Sequence, residues 1–155
     1  MRITAKADYA VRAATELAAA DGRPLKGDAI ARTQGISVRF LENIMGELRQ
    51  AGLVRSQRGS EGGYWLARDP EEVTIADVIR AVEGPMAAVR GEAPEDVDYP
   101  GAAKDLIRVW IAVRASLRSV LERVTLADLA AGRLPEEIEA LAEDPDAWSR
   151  RRPVG

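Results

Sequence analysis

Cysteine and histidine are both absent from the 155-residue chain. Their absence excludes disulfides, removes thiolate and imidazole metal ligands, and takes away the side chain most often used as a general base. The Asp, Glu, Ser and Lys that remain form no recognisable catalytic arrangement, so the sequence reads as a protein that is not an enzyme and carries no metal or cofactor. Aromatic residues are scarce at 5%, with a single Phe, which leaves Ala, Val, Leu and Ile to build the core. Apolar runs long enough to span a membrane are missing, and Met1-Arg2-Ile3-Thr4 opens the chain without the apolar stretch of a signal peptide. A cytoplasmic protein with no membrane partner is expected.

What is present is the balance of a globular protein, 46% apolar and 30% charged, in a length that suits one small domain and an appendage. The net charge of -3 hides a division: residues 1–68 carry 11 Lys and Arg against 7 Asp and Glu, and residues 69–155 carry 11 against 18. Ordinary fluctuation produces such splits, yet this one suits a basic half facing phosphates and an acidic half facing water or a partner.

Periodicity supplies the elements. Thr4 caps a helix over 4–20 in which Ala7, Val11, Ala14, Leu17 and Ala18 recur at helical spacing, and Asp21-Gly22 ends it. A short helix from about Gly27 to Thr33, anchored by Ile30, is broken by Gly35. Ser37 caps a third helix whose Leu41, Ile44, Met45 and Leu48 fall at i, i+3, i+4 and i+7, with Gly52 as its stop. Helix, tight glycine turn and capped helix make a helix-turn-helix outline. Leu53–Arg58 and Tyr64–Ala67 around Gly59-Ser60-Glu61-Gly62-Gly63 predict a β-hairpin wing. The glycine pair is a turn and not a phosphate loop, because a strand follows it where a helix would be needed. Thr74-Ile75-Ala76-Asp77 is a capping box for a helix through about Val82, closed by Gly84-Pro85.

Residues 87–103, with Glu92, Glu95, Asp96 and Asp98, have no period and read as a mobile, solvated loop. Beyond Lys104, Leu106, Trp110, Val113, Leu117, Val120 and Val124 are spaced 4, 3, 4, 3 and 4 residues apart, a heptad seam that calls for another helix along it. Arg108, Arg114, Arg118 and Glu122 fall on the water-facing back. A second capping box, Thr125-Leu126-Ala127-Asp128, opens a short helix ended by Gly132; Pro135–Glu143 adds a turn or two, and Arg150–Gly155 reads as a frayed tail. The predicted architecture is mainly α with a small β-hairpin: a winged helix-turn-helix domain over 1–85, a flexible loop over 86–103, a dimerisation helix with C-terminal helices over 104–145, and a tail over 146–155.

Several strings coincide with one family. Met1-Arg2-Ile3-Thr4 with Asp8-Tyr9-Ala10-Val11-Arg12-Ala13, Gln34-Gly35-Ile36-Ser37 with Leu41-Glu42, Leu48-Arg49-Gln50-Ala51-Gly52-Leu53-Val54, Arg58-Gly59, Gly62-Gly63-Tyr64 and Ala76-Asp77-Val78-Ile79-Arg80-Ala81-Val82-Glu83-Gly84-Pro85 resemble the Rrf-two (Rrf2) family of bacterial winged-helix regulators. The match is motif by motif over about 1–85 and in outline over 104–131. The resemblance implies a homodimer that reads an inverted repeat in double-stranded DNA as a transcriptional regulator, most simply a repressor. It places the third helix in the major groove and the wing tip in the adjacent minor groove. It marks Lys6, Ser37, Val38, Arg39, Glu42, Asn43, Arg58, Gly59 and Ser60 as DNA-binding candidates. Side-chain chemistry agrees: Arg pairs with guanine, Asn with adenine and Glu with the cytosine amino group, and an Arg on a glycine-flanked tip suits a narrow minor groove.

One departure stands out. Many relatives hold an iron-sulfur cluster on three cysteines after the Glu-Gly-Pro motif, whereas Met86–Ala103 has none here. Asp8 resembles a carboxylate that some relatives add as a ligand, but one carboxylate without thiolates cannot hold such a cluster. The chain therefore sits with relatives that answer to a small-molecule or protein effector. The plainer readings are that Lys6, Arg39, Arg49, Arg55 and Arg58 are solvated charges, that Ser37 is first an N-cap, and that Trp65, Tyr99 and Trp148 are packing residues and not pocket walls. A competing function is a winged-helix module that senses a partner enzyme or a small-molecule effector, with DNA binding secondary.

Overall fold

A computed structural model describes residues 2–151 of the chain. Its central element is α1 (Ala5–Ala19), capped by Thr4, whose Oγ accepts from the Ala7 N–H at 3.0 Å. The helix buries Ala7, Ala10, Ala13, Ala14 and Leu17. Four of those five are alanines, and small side chains let several neighbours approach one helix. α2 (Gly27–Gln34), α3 (Val38–Gln50), α4 (Ile75–Glu83) and α6 (Leu126–Ala131) all pack against α1.

Between α2 and α3 the chain turns at Gly35, which takes the left-handed conformation at φ +65, where a side chain is strained. Strands β1 (Val54–Gln57) and β2 (Gly63–Leu66) then form the antiparallel hairpin, in the register Val54 with Leu66 and Gln57 with Gly63. Leu25 adds a rung: its N–H donates to the Tyr64 carbonyl at 2.9 Å and its carbonyl accepts from the Tyr64 N–H at 2.8 Å. The hairpin is thereby fastened to the start of α2.

Leu17, Ile30, Leu41, Ile44, Met45, Leu48, Val73, Val78 and Leu126 fill the core, and no polar or charged residue among those described is buried. Leu126 is the unexpected member. It belongs to α6, which the sequence grouped with the dimerisation region over 104–145, yet it is 0% exposed inside the winged-helix core. The reason is a pairing of two capping boxes. The Ile75 N–H donates to the Val124 carbonyl at 3.0 Å and the Leu126 N–H donates to the Val73 carbonyl at 2.9 Å, so the two segments lie antiparallel at Thr74 and Thr125. Each threonine then caps its own helix, with Asp77 and Asp128 returning the hydrogen bonds.

That arrangement corrects the seam. Helix α5 spans Leu106–Leu121 and ends at Glu122, and Val124 is 2% exposed within its own chain. Val124 is a core residue that ties α4 to α6, so the seam available to a partner stops at Val120. Inside the described residues α5 buries none of its own side chains, and Val109 is 52% exposed.

Segment 86–103 is irregular, as its composition predicts, but it is docked. Short 3-10 turns at Pro94–Asp96 and Gly101–Ala103 punctuate it, and Pro94 and Val97 are buried. Glu95 pairs with Arg114 at 2.7 Å, and the Tyr99 hydroxyl accepts from the Trp110 Nε1–H at 3.0 Å. Two α5 side chains thus have intrachain work that their heptad positions did not disclose: Trp110 holds the segment from the seam, and Arg114, read as water-facing, is only 16% exposed. Finally α7 (Glu136–Glu143) and a 3-10 turn at Pro145–Trp148 follow, with Trp148 80% exposed. The tail expected over 150–155 lies mostly outside the described residues.

Candidate nucleic-acid interface

Helix α3 is divided sharply. Leu41, Ile44, Met45 and Leu48 point into the core, which leaves Val38, Arg39, Glu42, Asn43, Arg49 and Gln50 exposed along the opposite face. Ser37 is the N-cap, its Oγ accepting from the Phe40 N–H at 3.2 Å. The helix therefore begins with a capped first turn and with Arg39, Glu42 and Asn43 exposed toward its N-terminal end. Val38, 43% exposed, offers an apolar surface of the kind that meets a thymine methyl. Phe40 on the same turn stacks edge-on against Tyr9 with ring centroids 5.6 Å apart, and Arg12 lies 4.9 Å over the Tyr9 ring. Arg12 also pairs with Asp8 and donates to the Gln34 carbonyl at 3.4 Å, which fixes α1 to the end of α2.

The wing stands beside this face. Between them runs a groove of about 540 Å³ lined in part by Lys26, Val38, Glu42, Arg49, Gln57 and Arg58. Gly59 and Ser60 form the exposed hairpin tip, and Lys26 Nζ donates to the Gly59 carbonyl, tying the tip to the first turn of α2. The glycine pair has a stronger role than a turn. A Cβ on Gly62 would overlap the Gln57 carbonyl, and one on Gly63, at φ +150, would sit 2.6 Å from the Leu25 carbonyl oxygen. The missing side chain at Gly62 lets the hairpin close on Gln57, and the one at Gly63 lets it press onto Leu25.

Of the residues singled out in the sequence, Val38, Glu42, Arg58 and Gly59 line the groove; Arg39 and Asn43 share the exposed face of α3, and Ser60 is at the tip. Lys6 does not join them. Its Nζ pairs with Glu47 Oε2 at 2.8 Å and clips α1 to α3. Lys26 and Gln57 were not singled out, and no local signal marks them, since only the fold sets Lys26 under the wing tip. Arg49, weighed as a solvated charge, also lines the groove.

A helix-turn-helix whose second helix presents a polar face beside a basic hairpin defines a winged-helix DNA-binding protein. The chain belongs to the Rrf2 family: the family described as "Iron-dependent Transcriptional regulator" matches residues 3–132. A protein of Mycobacterium tuberculosis strain H37Rv named as an HTH-type transcriptional regulator is 53% identical over 98% of this chain and 95% of its own length. The HTH-type transcriptional regulator CymR of Bacillus subtilis is 40% identical over 84% of this chain and 90% of its own. The solved structure of CymR, the global cysteine regulator of B. subtilis, superposes with a TM-score of 0.70 at 38% identity, covering 85% of this chain and 98% of that one. The T. potens IscR structure gives 0.66 at 31% identity over 98% and 94%. The protein is a DNA-binding transcriptional regulator and not an enzyme.

The iron in the family description does not fit this chain. An iron-sulfur cluster needs soft thiolate donors, and the sequence has no cysteine. Asp8 is engaged by Arg12, and among the described residues no group of three or more acidic side chains is placed to hold a metal ion. No helix among them is long and apolar enough to cross a membrane.

Proposed function

We propose that the protein acts in the cytoplasm as a homodimeric repressor that reads an inverted-repeat operator without an iron-sulfur cluster. The observation that carries this reading is the polar face formed by α3 and the wing, on a chain that also carries a helix, α5, whose apolar stripe is not buried within the monomer. Ser37, Val38, Arg39, Glu42 and Asn43 are the base-facing group, with Ser37 also fixing the helix start. Arg58, Gly59 and Ser60 approach the minor groove, and Lys26 and Arg49 add phosphate contacts. Lys6 is assigned to clipping α1 to α3 and only indirectly to DNA.

The dimer reading rests on α5. Leu106, Trp110, Val113, Leu117 and Val120 are apolar, none is buried in the monomer, and they share one face over four turns. Covering that face with its own copy removes apolar surface from water at about 25 cal/mol per Å² and gives two reading heads a fixed spacing. A dimer across a promoter blocks polymerase most simply, hence the assignment as a repressor. Selection from a random DNA pool tests it: an enriched two-fold motif is expected, bound with a steep salt dependence. A motif without two-fold symmetry would refute the operator geometry, and no enrichment would refute direct sequence reading.

A further inference from the structure

With no cluster to report the state of the cell, sensing falls to another part of the molecule, and the face of α5 turned away from the seam holds a candidate. Ile111, Arg114, Ala115, Arg118, Glu122 and Arg123 line most of an open surface groove of about 560 Å³. The region is a positive island in an acidic half: residues 104–123 carry five Lys and Arg against two acidic residues. Two of its arginines already hold a carboxylate from elsewhere in the chain. Arg114 pairs with Glu95 of the 94–96 turn at 2.7 Å and Arg123 with Glu137 of α7 at 2.6 Å. Arg118 is different. Its nearest carboxylate, Glu122, stands 3.9 Å away, and its side chain is 48% exposed, so most of its five donors face the groove unpaired.

We propose that this groove is an effector site for a small organic anion bearing two or more carboxylate or phosphate groups, with Glu95 and Glu137 as the chain's own competitors for it. Ile111 and Ala115 offer an apolar floor for the carbon body, and Arg118 supplies the first fork. A second anionic group takes Arg114 or Arg123 by displacing its tethered carboxylate. The exchange is feasible because Glu95 and Glu137 are each about half exposed and regain water on release. Both carboxyls are held below their ordinary pKa, Glu95 first by its own backbone N–H and then by Arg114, Glu137 first by Arg123 and then by its own backbone N–H. A route to the reading head is present. Glu122, on the same groove, also holds Arg80 of α4, and α4 packs on α1 and α3. An anion beside Arg118 sets a like charge against Glu122 and so acts on that link.

Binding itself is independent of the operator reading, so the test uses the full chain without DNA. Citrate and inorganic phosphate are titrated by calorimetry at ionic strength held constant with sodium chloride. Citrate is expected to bind saturably, and Arg118→Gln, checked for unchanged thermal unfolding, is expected to weaken it about tenfold, the worth of a charge-assisted hydrogen bond. The Glu95→Gln, Glu137→Gln double variant is expected to tighten it several-fold, a gain that damage to the fold does not produce. Arg58→Gln, on the DNA face, is expected to leave it unchanged. Absence of saturable binding by either probe, indifference to Arg118→Gln, or loss of affinity in the double variant overturns the proposal. So does binding abolished by Arg58→Gln and kept by Arg118→Gln, which would put the anion on the DNA face.

Discussion

The reading head and α5 are built from similar residues but solve burial in opposite ways. In the head, α1 to α4 and α6 enclose Leu17, Ile30, Leu41, Ile44, Met45, Leu48, Val78 and Leu126, each nearly or fully removed from water. In α5, a longer and equally apolar helix, not one residue is buried. The head is complete within one chain, whereas α5 carries its apolar stripe on the surface and is tied down chiefly by polar contacts, Arg114 to Glu95, Trp110 to Tyr99 and Glu122 to Arg80 of α4. Stability and assembly are thus separated along the sequence, and they should respond to mutation separately.

The largest effect is expected from Leu126→Asp, which places an unpaired charge in a fully enclosed site at a cost of several kcal/mol. Thermal and denaturant unfolding should show a chain with little or no folded head, although the residue lies sixty positions beyond Leu66, the end of the wing. Retention of a cooperative transition near that of the parent would mean that α6 is not part of the head. The sharper contrast is Leu117→Asp on the α5 seam. This variant should keep the head folded and become monomeric by sedimentation, with operator affinity reduced about a hundredfold or more because two half-sites no longer bind together. If it stays dimeric with unchanged affinity, the seam is not the interface.

Within the head, smaller and more specific losses are expected. Asn43→Ala should relax sequence choice at one base-pair position at a cost of about 1–3 kcal/mol, while Arg58→Ala should weaken binding to all sequences and lower the salt slope by about one. Binding measured across a panel of operator variants and salt concentrations separates the two.

The smallest effect concerns the polar tether of the 94–96 turn. The Glu95 carboxyl is held below its ordinary pKa in the folded chain, so in acid the unfolded chain binds the proton more readily than the folded one. Its contribution is therefore complete at neutral pH and lost as pH falls through the carboxylate range, below about pH 5. Glu95→Gln should leave a slightly shallower dependence of stability on pH there, measured by denaturant titrations at several pH values, with little change at pH 7 beyond the loss of the ion pair. An unchanged acid profile would show that neither the backbone N–H nor Arg114 holds the Glu95 carboxylate in solution.

Much of the head was legible in the residues because its signals are local. Thr4, Ser37, Thr74 and Thr125 each cap the helix that they begin. The periodicity of Leu41, Ile44, Met45 and Leu48 named the buried side of α3 and, by subtraction, its exposed face. The heptad spacing of α5 was equally visible, but it ran one residue too far. Val124 continues the seven-residue rhythm, and spacing cannot reveal that the helix stops at Leu121 to make a backbone bridge with Val73–Ile75. Lys6 and Lys26 show the same limit in polar residues. Both are basic residues near a helix start, and only the packing of α1 on α3 gives Lys6 to Glu47, and only the fold of the hairpin gives Lys26 to Gly59.

The sequence by itself determined the helices, the wing, the exclusion of a thiolate-held cluster and the family, because caps, turn glycines, side-chain periodicity and ligand chemistry are properties of neighbours along the chain. Tertiary structure decided the rest: that α6 closes the head's core, that Val124 faces inward, that the acidic segment docks on Arg114 and Trp110, and that the wing tip is latched by Lys26. Each of these joins residues distant in sequence, and such pairings depend on which surfaces the folded core brings within a few ångströms, a geometry that no local pattern encodes.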